Sequence, residues 1–265
     1  MASLPLLLAV DAGNTSVTVG LFRGSRLLRR GRMPTATASG LDRELGARLA
    51  AAVGLGGNSA PLSGAATASV VPGLDRKLAT AVASFGCPVF SVTPSSPLGL
   101  TLKVRTPREV GADRIVNALA ARELVGIPSL VVDIGTAVTV DCVTAEGAYG
   151  GGSIMPGPGM AAEALRDRTA KLPYVEPARV RRAIGTDTES CIRAGLYFGC
   201  LGMVRGMVEK TLEELGGGPA KVVVTGGFAG LYGRGLGPDY CIMPDLTLQG
   251  LRPAFGILSG GGMRC

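Results

Sequence analysis

Two short segments place a carboxylate where it could work on phosphate. Asp11-Ala12-Gly13-Asn14-Thr15 follows the apolar run 6–10, and Asp133-Ile134-Gly135-Thr136-Ala137 follows the apolar run 130–132. After each, polarity alternates, in Ser16-Val17-Thr18-Val19 and in Val138-Thr139-Val140-Asp141. Each copy therefore predicts a buried strand, a tight turn closed by glycine and a second strand. Turns of glycine and hydroxyl residues offer N–H and O–H groups to phosphate oxygens, and aspartates at strand ends can organise a cation beside them. Such a pair suits a nucleoside triphosphate.

A further carboxylate lies in Pro107-Arg108-Glu109-Val110-Gly111-Ala112-Asp113-Arg114. Pro107 and Gly111 punctuate the chain before a helical stretch, which puts Asp113 and Arg114 in or near its first turn. There Asp113 either complements the helix dipole while Arg114 is a surface charge, or it orients a substrate hydroxyl while Arg114 clamps an anionic group. The loose transition state of phosphoryl transfer asks little of a base, so an aspartate of ordinary acidity suffices. At Ile184-Gly185-Thr186-Asp187-Thr188-Glu189 a long helix begins. Thr186 with Glu189 predicts a capping box, and Thr188 lies where helix N–H groups attract a carboxylate or phosphate.

Two glycine-rich stretches accompany these. Lys221–Thr225 predicts a strand entering the turn Thr225-Gly226-Gly227, whose backbone can line a nucleotide or simply pack. The stretch 150–159 reads either as a strand-to-helix loop or as a wall facing substrate. No Walker A motif occurs, and no clean dinucleotide fingerprint.

The chain has 265 residues, 46% hydrophobic and 18% charged, enough for one large domain or two packed lobes. It contains no histidine, which removes Ser-His-Asp and Cys-His mechanisms. Six cysteines without close C-x-x-C pairing argue against a zinc site or a disulfide scaffold. The net charge of +7 rests on arginines, clustered at Arg23, Arg26, Arg29, Arg30 and Arg32 and at Arg179, Arg181 and Arg182. With 4% aromatics, none interleaved with these clusters, a solvated basic surface is expected rather than a nucleic-acid site. Apolar stretches are broken by charge before reaching the roughly 18 residues of a membrane span, and Met1–Val10 lacks a basic leader. A cytoplasmic location is expected, without a membrane partner.

Strands are predicted at 4–10, 16–22 and 26–33, an amphipathic run at 42–53, and helices at 74–85, 112–125 and 188–215, the last stopping at three glycines. The chain is thus α/β. Because the second half opens by repeating the hairpin of the first, two lobes of related fold are expected with a cleft between them. The expected division is 1–114 and 115–265.

In this order the motifs resemble the type III pantothenate kinases, members of the acetate and sugar kinase/Hsc70/actin superfamily. The resemblance rests on D-x-G-N-T at Asp11–Thr15, G-A-D-R at Gly111–Arg114, D-x-G-T-A at Asp133–Ala137 and T-G-G at Thr225–Gly227. Pro156-Gly157, Leu172-Pro173 and Leu246-Thr247-Leu248 before Gly250-Leu251 add to it. It implies two actin-like, ribonuclease H-like lobes with an interlobe nucleotide cleft, and ATP-dependent phosphorylation of pantothenate with magnesium, the first step of coenzyme A biosynthesis. It implies that Asp11, Ala12, Gly13, Asn14, Thr15, Ser16, Val17, Thr18 and Thr136 contact ATP, and that Asp133 holds a monovalent cation, potassium or ammonium. Gly111, Ala112, Asp113, Arg114 and Thr188 would bind pantothenate, with Asp113 the catalytic base. A homodimer is implied, the neighbouring subunit supplying part of the pantothenate site. Two positions depart from the family pattern: Val104 stands where tyrosine is frequent, and Asp187 where asparagine is. A nucleotide-binding regulator without catalysis, or a kinase for another small molecule, are the rival readings.

Overall fold

The apolar run before Asp11 has side chains buried on both faces, as the central strand of a sheet requires, and that is its place. The computed structural model describes residues 6–40, 44–56 and 60–260. Its first half contains β1 (Leu6–Ala12), β2 (Ser16–Arg23), β3 (Arg26–Pro34), α1 (Thr35–Gly40), α2 (Leu45–Ala52), β4 (Leu62–Ser69), α3 (Leu74–Ala83), β5 (Val89–Val92) and α4 (Ala112–Ala120). A π-helical turn, Ala121–Val125, extends α4. The second half runs β6 (Ser129–Ile134), β7 (Ala137–Val143), β8 (Tyr149–Pro156), α5 (Pro158–Asp167), α6 (Thr188–Glu214), β9 (Lys221–Thr225), α7 (Ala229–Leu236), β10 (Tyr240–Ile242) and α8 (Leu246–Leu258).

The two sheets have one topology. Their orders are β3-β2-β1-β4-β5 and β8-β7-β6-β9-β10. In each, the first three strands form an antiparallel meander and the last two pair in parallel on the other side of the opening strand. In the first unit, Leu8, Val10, Val17 and Val19 pack against Leu45, Leu49, Leu74, Leu78 and Val82 of α2 and α3. In the second, Leu130, Val132, Val138 and Val140 meet Tyr197, Leu201, Val204 and Val208 of α6 and Tyr232 of α7. Burial of Cys200 in that core pushes its thiol up to about 12.

Several expectations change. The stretch 150–156 is the edge strand β8 and not a loop, because β7 supplies a ladder for it. Gly152 is forced there: a Cβ would meet the Val140 carbonyl oxygen and the Asp141 backbone. The amphipathic run at 42–53 becomes α2, and 41–43 lie outside the described residues. By length and composition α6 alone, among the described helices, would suffice to cross a membrane. It carries Arg193 and Arg205 and buries its apolar face in the second unit's core. The arginines 26–32 line the edge strand β3, where charge discourages pairing with another chain.

The expected boundary after residue 114 falls inside α4, and contacts divide the chain differently. Residues through Leu100, Arg105–Glu123 and the chain from Thr247 form one unit; Thr101–Val104 and Leu124–Leu246 form the other. A Cβ on Gly250 would meet the Val116 carbonyl oxygen, so α8 lies tightly on α4. In the second unit, Thr101–Val104 pairs with the start of β8, the Lys103 N–H donating to the Tyr149 carbonyl at 2.8 Å.

Candidate active site

The first turn owes its shape to the helix that follows β3. The Gly13 N–H donates to the Ser16 carbonyl at 3.0 Å, closing the turn. Thr35 opens α1, and its hydroxyl donates to the Gly13 carbonyl at 2.6 Å. The Thr35 N–H donates to the Thr15 carbonyl at 3.0 Å. Asn14 and Thr15 are exposed, while Asp11, Ser16 and Thr18 are half-buried. Ala12 and Val17 belong to the core, so only their backbone is available to a ligand.

The second turn repeats the device with one residue fewer. The Gly135 N–H reaches the Ala137 carbonyl at 2.9 Å, and Gly157, which caps α5, donates to the Thr136 carbonyl at 3.1 Å. Thr136 is exposed. Asp133 precedes this turn at the end of β6, opposite Thr139 on β7 and Thr225 on β9. Its carboxylate is cupped by glycines. A Cβ on Gly135 would lie 3.4 Å from Oδ1, and one on Gly226 would collide with it. Gly226 also has φ +96°, a conformation that side chains resist, so glycine is required there twice over. The Phe228 N–H donates to the Ile134 carbonyl at 2.9 Å, tying this turn to the end of β6, next to Asp133. An oxygen donor in a recess that excludes side chains suits a cation bound through oxygen ligands.

Gly111 caps α4, which begins at Ala112, and Asp113 is its second residue. The Arg114 N–H donates to Asp113 Oδ1 at 2.7 Å. A Cβ on Gly111 would come within 2.5 Å of the same oxygen, so the carboxylate lies back over the helix start and glycine gives it room. Asp113 and Arg114 are half-buried and Ala112 is buried. Val70 joins this cluster to the first turn. Its N–H donates to the Ala12 carbonyl at 3.1 Å, and its Cγ1 lies 3.4 Å from where a Gly111 Cβ would stand. The first unit therefore brings Asp11–Thr15 and Gly111–Arg114 together. The second brings Asp133 and Thr136 together with Thr225–Gly227.

Thr188 is exposed at the first position of α6, and its side chain makes no hydrogen bond among the described residues. The cap differs from the expected pairing of Thr186 with Glu189. Asp187 is the cap, one residue later, and its carboxylate accepts from the Ser190 N–H at 2.9 Å and the Ser190 hydroxyl at 2.8 Å. These bonds hold the Asp187 carboxyl below its ordinary range, the Ser190 backbone first and its hydroxyl second. Asp is as good a cap as Thr, and it wins because Ser190 reciprocates by accepting from the Asp187 N–H at 3.1 Å. Thr35, Val70 and the Gly226 recess escaped sequence reasoning; the T-G-G turn was the one visible trace of the last.

A family model for type III pantothenate kinases matches residues 7–210. The type III pantothenate kinase of Moorella thermoacetica is 42% identical over 253 residues, covering 93% of this chain and 97% of that protein. Among solved structures, a conserved protein assigned to the Baf family of transcriptional activators, from Campylobacter jejuni, superposes with a TM-score of 0.60 at 16% identity, covering 96% of this chain and 99% of that one. Component A of the (R)-2-hydroxyglutaryl-CoA dehydratase of Acidaminococcus fermentans gives 0.54 at 14% identity, covering 94% and 96%. At those identities the structures speak for fold alone, two related α/β units of actin-like type. Family match and near full-length identity together decide membership: the chain belongs to the type III pantothenate kinases.

Proposed function

We propose that this chain transfers the γ-phosphoryl group of ATP to the primary hydroxyl of pantothenate, giving 4'-phosphopantothenate, the first step of coenzyme A biosynthesis. The observation that carries the reading is the link through Val70, which sets a phosphate-type turn beside a helix start bearing Asp113 and Arg114. In this reading Asp113 orients the hydroxyl and takes its proton late, as the loose transition state permits. Arg114 and Thr188 hold the pantothenate carboxylate, with Gly111 and Ala112 shaping the floor. Asp11–Thr18 and Thr136 meet ATP through the turns' backbone and the side chains of Asn14, Thr15 and Thr136. Magnesium accompanies the triphosphate.

Asp133 holds potassium or ammonium, and the glycine recess around its Oδ1 fits such an ion. When bound, that ion would lend positive charge near the triphosphate. A homodimer completes the pantothenate site with Thr188 of the neighbouring chain. The reaction's soluble metabolites, together with the burial of α6 in a protein core, favour the cytoplasm as its compartment.

Purified protein with ATP, magnesium and pantothenate is expected to form phosphopantothenate, detected by mass spectrometry. No product across neutral and mildly alkaline pH, with potassium present, overturns the proposal.

A further inference from the structure

The alternating segment after the second turn holds a polar chain that the first unit lacks. The Thr139 hydroxyl donates to Asp141 Oδ2 at 2.9 Å, and the Tyr149 hydroxyl donates to Asp141 Oδ1 at 2.8 Å. Asp141 is fully buried and Tyr149 is 1% exposed. A carboxylate sunk in a sheet is costly to desolvate, so its retention points to a task. The equivalent position in the first unit is Gly20, two residues beyond Thr18 as Asp141 is two beyond Thr139. There the site is apolar: a Cβ on Gly20 would meet Leu27, Phe22 and Leu248 within 3.1 Å. The fold itself therefore does not need a carboxylate at this position.

The carboxylate fixes the direction of one proton. Thr139 has a single hydroxyl hydrogen, and Asp141 accepts it. The hydroxyl makes no other hydrogen bond among the described residues, so its lone pairs remain available to a ligand. Thr139 stands directly opposite Asp133 in the β6–β7 register, on the same face, at the Cβ spacing of about 5 Å usual for such pairs. We propose that Thr139 Oγ1 is a second protein ligand of the monovalent cation at Asp133, with Asp141 and Tyr149 as positioning residues that hold the hydroxyl as an acceptor. The inference rests on the reading of Asp133 as the cation's carboxylate. Oxygen donors that replace hydration water are what such an ion requires.

The test is thallium(I) binding by NMR, thallium standing in for potassium, alongside the rise in melting temperature from potassium chloride relative to choline chloride. Thr139→Val, isosteric but without oxygen, is expected to bind thallium about tenfold or more weakly, whereas Thr139→Ser stays close to wild type. Asp141→Asn is expected to weaken binding similarly, because its amide donates to Thr139 and turns the hydroxyl hydrogen towards the ion. Near-UV circular dichroism checks the fold, and the Val and Ser pair decides if Asp141→Asn does not fold. Wild-type affinity in Thr139→Val, or loss in Thr139→Ser, overturns the inference. If wild type binds no thallium, or Asp133→Asn binds it normally, the reading of Asp133 itself fails.

Discussion

At the residue scale, the proposed function makes Asp113 the base, and in a chain without histidine that role falls to a carboxylate. Asp113→Asn keeps the shape over the start of α4 but cannot accept the hydroxyl proton. Turnover should fall about 10²–10⁴-fold while ATP binding by calorimetry stays near wild type; near-normal turnover removes Asp113 from the mechanism. Asp187 offers a different test. Its carboxylate caps α6 next to Thr188, and like charge there should repel the pantothenate carboxylate. Asp187→Asn should lower KM for pantothenate about two- to fivefold with kcat unchanged, and a KM that rises or stays put refutes the repulsion. The same residue gives a pH signature. Its folded pKa is depressed below the ordinary 3.8, so its capping contribution is present above that value and lost as pH falls through the lower folded value. Melting temperatures of wild type and Asp187→Asn should therefore converge in strong acid, and a gap that widens there contradicts the assignment. The positions of Asp11, Asp113 and Asp133 near the start or end of a regular element were legible because a glycine stands two residues from each. The recess at Gly226 was not, because it exists only when the turn after β9 is laid against the end of β6.

At the element scale, the two hairpins depend on helices far along the chain to hold their turns. Thr35 is 5% exposed and gives both its hydroxyl and its N–H to the first turn. Thr35→Val keeps the volume and deletes one hydrogen bond to the carbonyl of half-buried Gly13, costing about 1 kcal/mol and about 2–4 °C in Tm. If the turn serves ATP, KM for ATP should rise several-fold and Thr35→Ser should restore it; a loss of stability with unchanged KM makes Thr35 structural only. The hairpin strands were readable from alternation, whereas β8 was not. Gly150, Gly151 and Gly152 carry no strand propensity, and Gly151 sits at φ +96° beside a register shift between Cys142 and Val143. That strand forms because β7 offers it a ladder, so its cause lies in the partner strand and not in its own residues. The long helix α6 and its start were legible, but its cap was displaced by one residue because Ser190 could answer Asp187 and the sequence offered Thr186 equally well.

At the scale of the molecule, the repeated hairpin announced a repeated sheet, and two five-stranded sheets of identical order bear it out. The division between units was not readable, since it turns on α8, which follows the last strand of the second sheet yet packs on α4 through Gly250. No local pattern in Leu246–Leu258 specifies that choice. The proposed assembly is open to a test of the same kind, in which residues far apart in one chain act as neighbours across two. Asp113 opens α4 and Thr188 opens α6, and in the proposed homodimer each pantothenate site takes Asp113 from one chain and Thr188 from its partner. A dimer of one Asp113→Asn chain and one Thr188→Val chain then has one site with both lesions and one with neither. Random mixing makes about half of the dimers mixed, so co-refolded inactive variants should recover about a quarter of wild-type activity. Tagged subunits recovered by sequential affinity steps, which select mixed dimers alone, should reach about half. If such dimers are isolated and remain as inactive as either parent, Asp113 and Thr188 act within one chain and the shared site is refuted.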